Sequence, residues 1–354
     1  MKKMSFSFSG ILYISRIFFV IFFGLLFLLQ SCRKKEEDKN KGKIKVGLVF
    51  DAAGKDDKSF NTASWVGASR AKEDFNIVLK DVEPGEPSAI EPSIRILAEQ
   101  GFDLIIGVGF GNKPYIEEVS KEYPELKFAI VDVEVKGDNV ASILFEEHQG
   151  AFLVGMIAAG VSKTGKIGFV GGMDIPLIHR FYEGYKAGAL YINPKVEVYE
   201  GYAGVTLDAW NDPTKGKEIA LAQYSRGADV VYAAAGATGL GVFDAAEEVK
   251  KFVIGNDSNQ NYLKPGYVLT SMLKKVDVAV YQIIKDVVQG NFKPGIHKFD
   301  LKNKGLDYAI DDYNRNLIPE SLILKVEKAK QDIIKGKLKV PDYYEKISRN
   351  AEHK

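Results

Sequence analysis

The chain has 354 residues, 46% hydrophobic and 27% charged, with 48 basic side chains against 47 acidic ones. That is enough apolar material for a sizeable core in a chain long enough for two domains, and it argues against a disordered chain. The charge balance turns slightly acidic once Lys2, Lys3 and Arg16 of the N-terminal segment are set aside, so nothing calls for nucleic acid as a partner.

Lys2 and Lys3 precede an apolar run, Ile17–Leu29, of signal-peptide length and too short for a comfortable membrane span. The run ends in Leu29-Gln30-Ser31-Cys32, and Cys32 is the only cysteine, with no partner for a disulfide. This pattern resembles a lipoprotein signal, in which the cysteine is lipidated and becomes the new N-terminus. Residues 1–31 are therefore expected to be a signal peptide. Residues 32–42, opening the charged RKKEEDKNKGK, are expected to be a tether that leaves the globular part in water, held to a membrane by acyl chains.

From Lys43 the pattern alternates between strand-length and helix-length runs. Strands are predicted at 44–50, 76–83, 103–109, 128–133 and 140–145, with helices at 59–75, 93–100 and 113–123. The stretch GAFLVGMIAAGVSK (150–163) is predicted to be a buried helix, its glycines and alanines suiting close packing. The alternation restarts with strands at 166–172, 196–203, 228–236, 252–257 and 267–273. Helices fall at 180–192, 214–226, 243–250, 276–290 and near 320–335. Alternation over both halves implies an α/β chain with a parallel sheet in each.

The halves resemble one another. LAEQGFDLIIGVGFG (97–111) matches LAQYSRGADVVYAAAGATG (221–239), and each leads through a helix to a similar strand, LKFAIVDV (126–133) or KKFVIGND (250–257). Both second strands finish in an acid, Asp132 and Asp257. Ligands of open α/β sheets bind beyond the carboxyl ends of strands, so two similar lobes imply a shared cleft. The candidates there are Asp51, Phe60, Asn61, Gly109 and Asp132 from the first half, and Phe181, Trp210, Gly236, Asp257 and Lys274 from the second. Opposed aromatics stack on a heterocycle, carboxylates accept from its N–H and hydroxyl groups, and glycines admit close backbone approach. Each residue also has a plain structural use: a cap for the aspartates, core for the phenylalanines, a loop cover for Trp210, solvent for Lys274. Asp56 and Asp57 read as loop surface.

Absences narrow the ligand further. No strand exit carries a phosphate-cradling glycine loop, and Arg180 is the only arginine near one, so a neutral heterocycle such as a nucleoside suits the set better than a nucleotide. His148, His179, His297 and His353 are scattered, with no metal-ligand spacing, no nucleophile elbow and no catalytic cysteine. Neither a metal, a cofactor nor a catalytic residue is expected.

The strings DDKSFN (56–61), FYEGYKAGA (181–189), WNDPTKGKEIA (210–220), GADVVYAAAG (227–236) and IGNDSNQ (254–260) resemble the basic membrane protein family. These are lipoprotein substrate-binding components of ABC transporters, similar to a spirochaete purine nucleoside receptor. The resemblance implies a periplasmic-binding-protein type I fold. Its lobes would be 43–148, with crossing segments from about 256–300, and 149–255, with a C-terminal helix region to about 345. It implies a purine nucleoside as ligand and a transporter permease as partner. Phe60 would stack on the base with Phe181 or Trp210; Asp51, Asn61 and Asp132 would read the base edge; Asp257 and Lys274 would hold the ribose; Gly236 would permit backbone contact. A surface lipoprotein binding host extracellular matrix through the lysines of 325–339, or a receptor for another heterocycle, are the alternatives.

Overall fold

The computed structural model describes residues 40–51 and 53–352. The signal segment, Cys32 and His353 lie outside these. The chain divides at Ile44. Of the first unit only the turn at 40–44 is described, and the second, Lys45–Lys354, carries both sheets.

The first lobe runs β1 (Lys45–Val49), α1 (Phe60–Phe75), β2 (Val78–Val82), α2 (Ile90–Glu99), β3 (Leu104–Gly107), α3 (Lys113–Glu122), β4 (Lys127–Val131) and β5 (Val140–Phe145). The second continues α4 (Glu147–Val161), β6 (Lys166–Met173), α5 (Pro176–Ile192), β7 (Glu197–Gly204), α6 (Pro213–Ser225), β8 (Val230–Ala234), α7 (Gly239–Val249), β9 (Phe252–Asp257) and β10 (Val268–Lys274). Then come α8 (Val276–Val288), β11 (Gly295–Phe299), β12 (Leu306–Tyr308), α9 (Glu320–Ile334) and α10 (Tyr343–Glu352).

Strand order is β11-β5-β4-β3-β1-β2 in one sheet and β12-β10-β9-β8-β6-β7 in the other. Every pairing is parallel except β10 with β12. In each sheet the order reverses beside the first strand, between β1 and β3 or between β6 and β8, which is where an open α/β sheet parts its loops into a crevice. Strand register keeps those exits level: Val49 faces Gly107, and Gly171 faces Ala234. Central strands β3 and β8 are buried along their whole length, as helix-covered parallel strands must be.

Three differences from the sequence reading have physical causes. Strand β10 belongs to the second sheet, although it lies in the 256–300 stretch assigned with the first lobe. It pairs with β9, and the chain crosses only after Lys274, so that α8 packs on α1. Strand β12 is antiparallel to β10 because the chain reaches it from β11 of the other sheet, so it starts beside Lys274, where β10 ends at the crossing, and runs back along it. Helix α5 starts one turn earlier than expected, with Pro176 in its first turn, where the missing N–H costs nothing.

No helix of the described residues is long and apolar enough to cross a membrane. The small-residue stretch forms α4, nearly all of it buried, and its backbone meets that of α5. A Cβ at Gly188 would lie 1.9 Å from the Phe152 carbonyl oxygen, and one at Gly155 would lie 2.0 Å from that of Tyr185. Gly188→Ala should therefore push the helices apart and lower the free energy of unfolding by roughly 1–3 kcal/mol, read from urea denaturation. A change of only a few tenths would show that the pair has slack.

Candidate functional site

The strand exits of both lobes converge on a cleft enclosing about 500 Å³, part of it open to solvent. Of the residues singled out from the sequence, Asp51, Phe60, Gly109, Asp132, Phe181, Trp210, Gly236, Asp257 and Lys274 line it. Asn61 does not. It is fully buried behind Asp51, its Nδ2 donating to Asp51 Oδ1 at 2.6 Å and to the Gly54 carbonyl at 2.9 Å. The Ala53 N–H donates to the same carboxylate oxygen. One oxygen of Asp51 is thus fixed by the protein, while the other lies on the cleft side, close to Gly109 and the Phe60 ring.

Asp57 is missed by the sequence reading, which placed it on the loop surface. It is 1% exposed and lines the cleft. Its Oδ1 accepts from the N–H groups of Ser59 and Thr62 and its Oδ2 from that of Asn61, so it is the side chain that caps α1. The signal was available in the spacing Asp57-x-Ser59-x-Asn61, where a short acid precedes a helix start. This cap fixes Phe60 as the first residue of α1 and aims it at the cleft.

The two halves match at their exits. Asp132 follows β4 with φ +78° and Asp257 ends β9 with φ +65°, while Gly109 and Gly236 follow β3 and β8 with φ +90° and +57°. Left-handed backbone is uncommon outside glycine but tolerated by aspartate, and it clusters where a fold over-determines a site. Here it turns both carboxylates into the cleft.

Lys274 closes the cleft at the crossing between lobes. It is 1% exposed, not the solvated lysine a strand end usually gives. Its Nζ lies 2.6 Å from Asp132 Oδ1 and 3.3 Å from Oε1 of Glu147, the buried first residue of α4. Nζ also lies 5.1, 5.0 and 5.5 Å from the ring centroids of Phe60, Phe145 and Phe181, an aromatic cage suited to a cation. Neither Glu147 nor Phe145 stood out in the sequence, because each reads as an ordinary strand or helix end.

At the far end Trp210 lies against Gly172, where a Cβ would sit 2.4 Å from the indole, and meets Phe110 of the first lobe edge-on at 6.4 Å. Further bonds join the lobes. Ser59 Oγ lies 2.6 Å from Asp257 Oδ2, Ser258 Oγ donates to the Ser59 carbonyl, and Gln260 Nε2 donates to that of Lys58.

Burial raises the carboxyls of Asp51, Asp132 and Asp257 above the ordinary range. Asn61 and the Ala53 N–H oppose this at Asp51, and Lys274 opposes it at Asp132 and Asp257. For Lys274 burial favours the neutral amine, but attraction by Asp132, Glu147 and Asp257 outweighs it and the ammonium is held well past its usual range. The cleft therefore pairs a single lining cation with several carboxylates and suits a ligand rich in N–H and O–H donors. None of the described residues lining it is a histidine, serine or cysteine. His179, the histidine nearest the cleft by sequence, is bonded to Asp174 and Tyr202 instead. Glu146, His148 and Asp342 come within 4.8 Å of one another, but Arg180 takes an oxygen of each acid.

Residues 43–344 match the family described as ABC transporter substrate-binding protein PnrA-like. The chain is 35% identical over 341 residues, 89% of its length and 95% of the relative's, to a Lactococcus lactis protein named ABC transporter nucleoside-binding protein BmpA. It is 33% identical over 339 residues, 93% of its length and 96% of the relative's, to basic membrane protein D of Borreliella burgdorferi. Among solved structures, an ABC transporter solute-binding protein of Aeropyrum pernix superposes with a TM-score of 0.76 at 35% identity, covering 84% of this chain and 94% of that one. The two-lobed architecture is that of type I periplasmic binding proteins.

Burial pushes Asp57 up to about 7, against the three N–H groups that hold it. A carboxyl whose folded value exceeds its unfolded one contributes stability below about pH 4 that is lost as pH rises through about 7. The urea midpoint should accordingly fall between about pH 5 and pH 8, and Asp57→Asn should flatten that fall. Parallel slopes in both proteins would show Asp57 ionised throughout.

Proposed function

This chain belongs to the PnrA-like substrate-binding proteins of ABC transporters, and we propose that it captures purine nucleosides between its lobes and delivers them to a transporter permease. The observation carrying this reading is the cleft's lining: Phe60 from the first lobe and Phe181 and Trp210 from the second, together with Asp51, Asp132, Asp257 and Lys274. A flat, uncharged heterocycle bearing a polyol meets that set of faces and acceptors. A phosphate does not, since the nearby guanidinium of Arg180 is taken up by protein groups and does not line the cleft. The relative from Lactococcus lactis is named for nucleoside binding, which favours the same ligand.

In this reading Phe60 and the wall of Phe181 and Trp210 flank the purine. The cleft-side oxygen of Asp51, held in place by Asn61, accepts from the base edge. Asp257 and Lys274 take the ribose hydroxyls, with Asp132 steadying the lysine and Gly236 leaving room for backbone contact. Closure of the lobes completes this shell and presents a joint surface to the permease. Lipidation at Cys32 would keep the receptor beside that permease.

Mass spectrometry of the small molecule released by denaturing the purified protein should find a purine nucleoside; a sugar or an amino acid would overturn the ligand assignment. Phe60→Ala should weaken nucleoside binding by roughly tenfold or more, since stacking of a base on an aromatic side chain is worth about 1–3 kcal/mol. The chain has two tryptophans, Trp65 and Trp210. Nucleoside should quench indole fluorescence, and Trp210→Phe should abolish the quench if Trp210 forms the stacking wall; a quench that survives assigns that wall to Phe181. Asp257→Ala should cost the nucleoside more affinity than the free base, and equal losses would count against the ribose assignment.

A further inference from the structure

Arg180 projects from α5 into the junction between the lobes, with its side chain 7% exposed. Its five donors all have protein acceptors. Nε and one Nη reach the two oxygens of Asp342 at 2.8 Å each, and that second Nη also reaches Glu146 Oε2 at 2.9 Å. The other Nη serves Glu147 Oε2 at 2.8 Å and the Phe145 carbonyl. Phe145, Glu146 and Glu147 are the segment that carries the chain from β5 to α4. A rigid guanidinium fork therefore grips one crossing between lobes with one edge and the C-terminal segment with the other.

Glu147 divides its oxygens. Oε2 faces Arg180, and Oε1 faces the Nζ of Lys274 at 3.3 Å. The run Asp342–Arg180–Glu147–Lys274–Asp132 is thus a continuous line of alternating charge, buried at its three middle members, from the C-terminal segment into the ligand cleft. The C-terminal end is held by more than this pair. Tyr343 stacks on His179 with ring centroids 5.0 Å apart, the Arg180 guanidinium lies 5.0 Å from the Tyr344 ring, and Lys346 pairs with Glu183 at 2.6 Å. Asp342 also accepts from the Tyr344 N–H at the start of α10, so docking the helix and presenting the carboxylate are one event.

We propose that Asp342 and Arg180 are positioning residues for ligand capture: docking of the C-terminal helix fixes Glu147, and through it the lysine that lines the cleft. Without Asp342, Arg180 turns more of its charge on Glu146 and Glu147. Glu147 then yields its contact with Lys274, leaving that lysine to Asp132 alone. The lysine becomes more mobile and a ligand held by it leaves faster. The effect on ligand rests on the nucleoside reading above, whereas the effect on Lys274 does not.

Two measurements separate these. The rate at which acetic anhydride acylates Lys274, followed by peptide mass spectrometry, needs no ligand. It should rise several-fold in Asp342→Asn and stay near wild type in Asp342→Glu. Inosine dissociation, followed by fluorescence, should accelerate about tenfold in Asp342→Asn, with the preference for nucleoside over free base narrowed, because the loosened lysine is the one assigned to the ribose. If Asp342→Asn does not fold, Lys346→Glu loosens the same helix at an exposed pair and should shift both readouts in the same direction. A lowered melting temperature with unchanged Lys274 acylation would overturn the proposal, making Asp342 a residue of stability alone. Acylation that responds as expected in a protein that binds no inosine would uphold the coupling and sink the nucleoside reading.

Discussion

A buried lysine between a buried acid and one on the cleft wall is the constraint on which the arrangement depends. Lys274 ends a strand of the second sheet, Asp132 follows a strand of the first, and Glu147 starts the helix that leaves the first sheet for the second lobe. Removing one member of such a set strands a charge in a poorly solvated site, which costs far more than the pair contributes to stability. What the set fixes is arrangement: the geometry satisfying all three charges brings two sheets, one crossing segment and three aromatic rings to the same point.

Around that point the molecule uses one design twice. Each sheet ends its third strand in a left-handed glycine and its fourth in a left-handed aspartate. The equivalence is one of backbone as well as sequence, and the outcome differs with the partner. Asp132 takes the lysine of the opposite lobe, while Asp257 takes the hydroxyl of Ser59. A duplicated frame has thus been fitted with unlike contacts on its two sides, so the two walls of the cleft are chemically distinct.

Much of this was legible in the chain. Periodicity located the strands and most helices, because buried parallel strands are continuous apolar runs and their crossover helices are not. The repeat of Gly-x-Asp units exposed the two halves, and with it the acids at 132 and 257. Less legible was anything set by partners distant in sequence. Asp57 read as surface because its three acceptor bonds go to backbone that only a folded helix start presents. Asn61 read as a ligand contact, and its role behind Asp51 depends on the loop at Gly54. Glu147, Arg180 and Asp342 form their cluster across long separations in the chain, which no local pattern encodes. Strand β10 went to the other sheet because pairing with β9 outweighs proximity to the crossing.

The crossings themselves are laced together. The Glu146 N–H donates to the Phe299 carbonyl, the Lys275 N–H to that of Gly305, and the Leu301 N–H to Gln149 Oε1. Three strips bonded side by side bend as one ribbon, so the lobes have in effect a single axis of rotation. Lever arms then decide what moves. Lys274 and Asp132 sit close to that axis and shift little when the lobes part, whereas the exits of β3 and β8 lie strands further out, each adding about 4.8 Å of radius. The charged end of the cleft keeps its shape while the aromatic end, at Phe110 and Trp210, swings wide. Whatever enters such a cleft would seat one end at the ionic heel first and leave by the reverse path, its far end swinging free before the heel lets go.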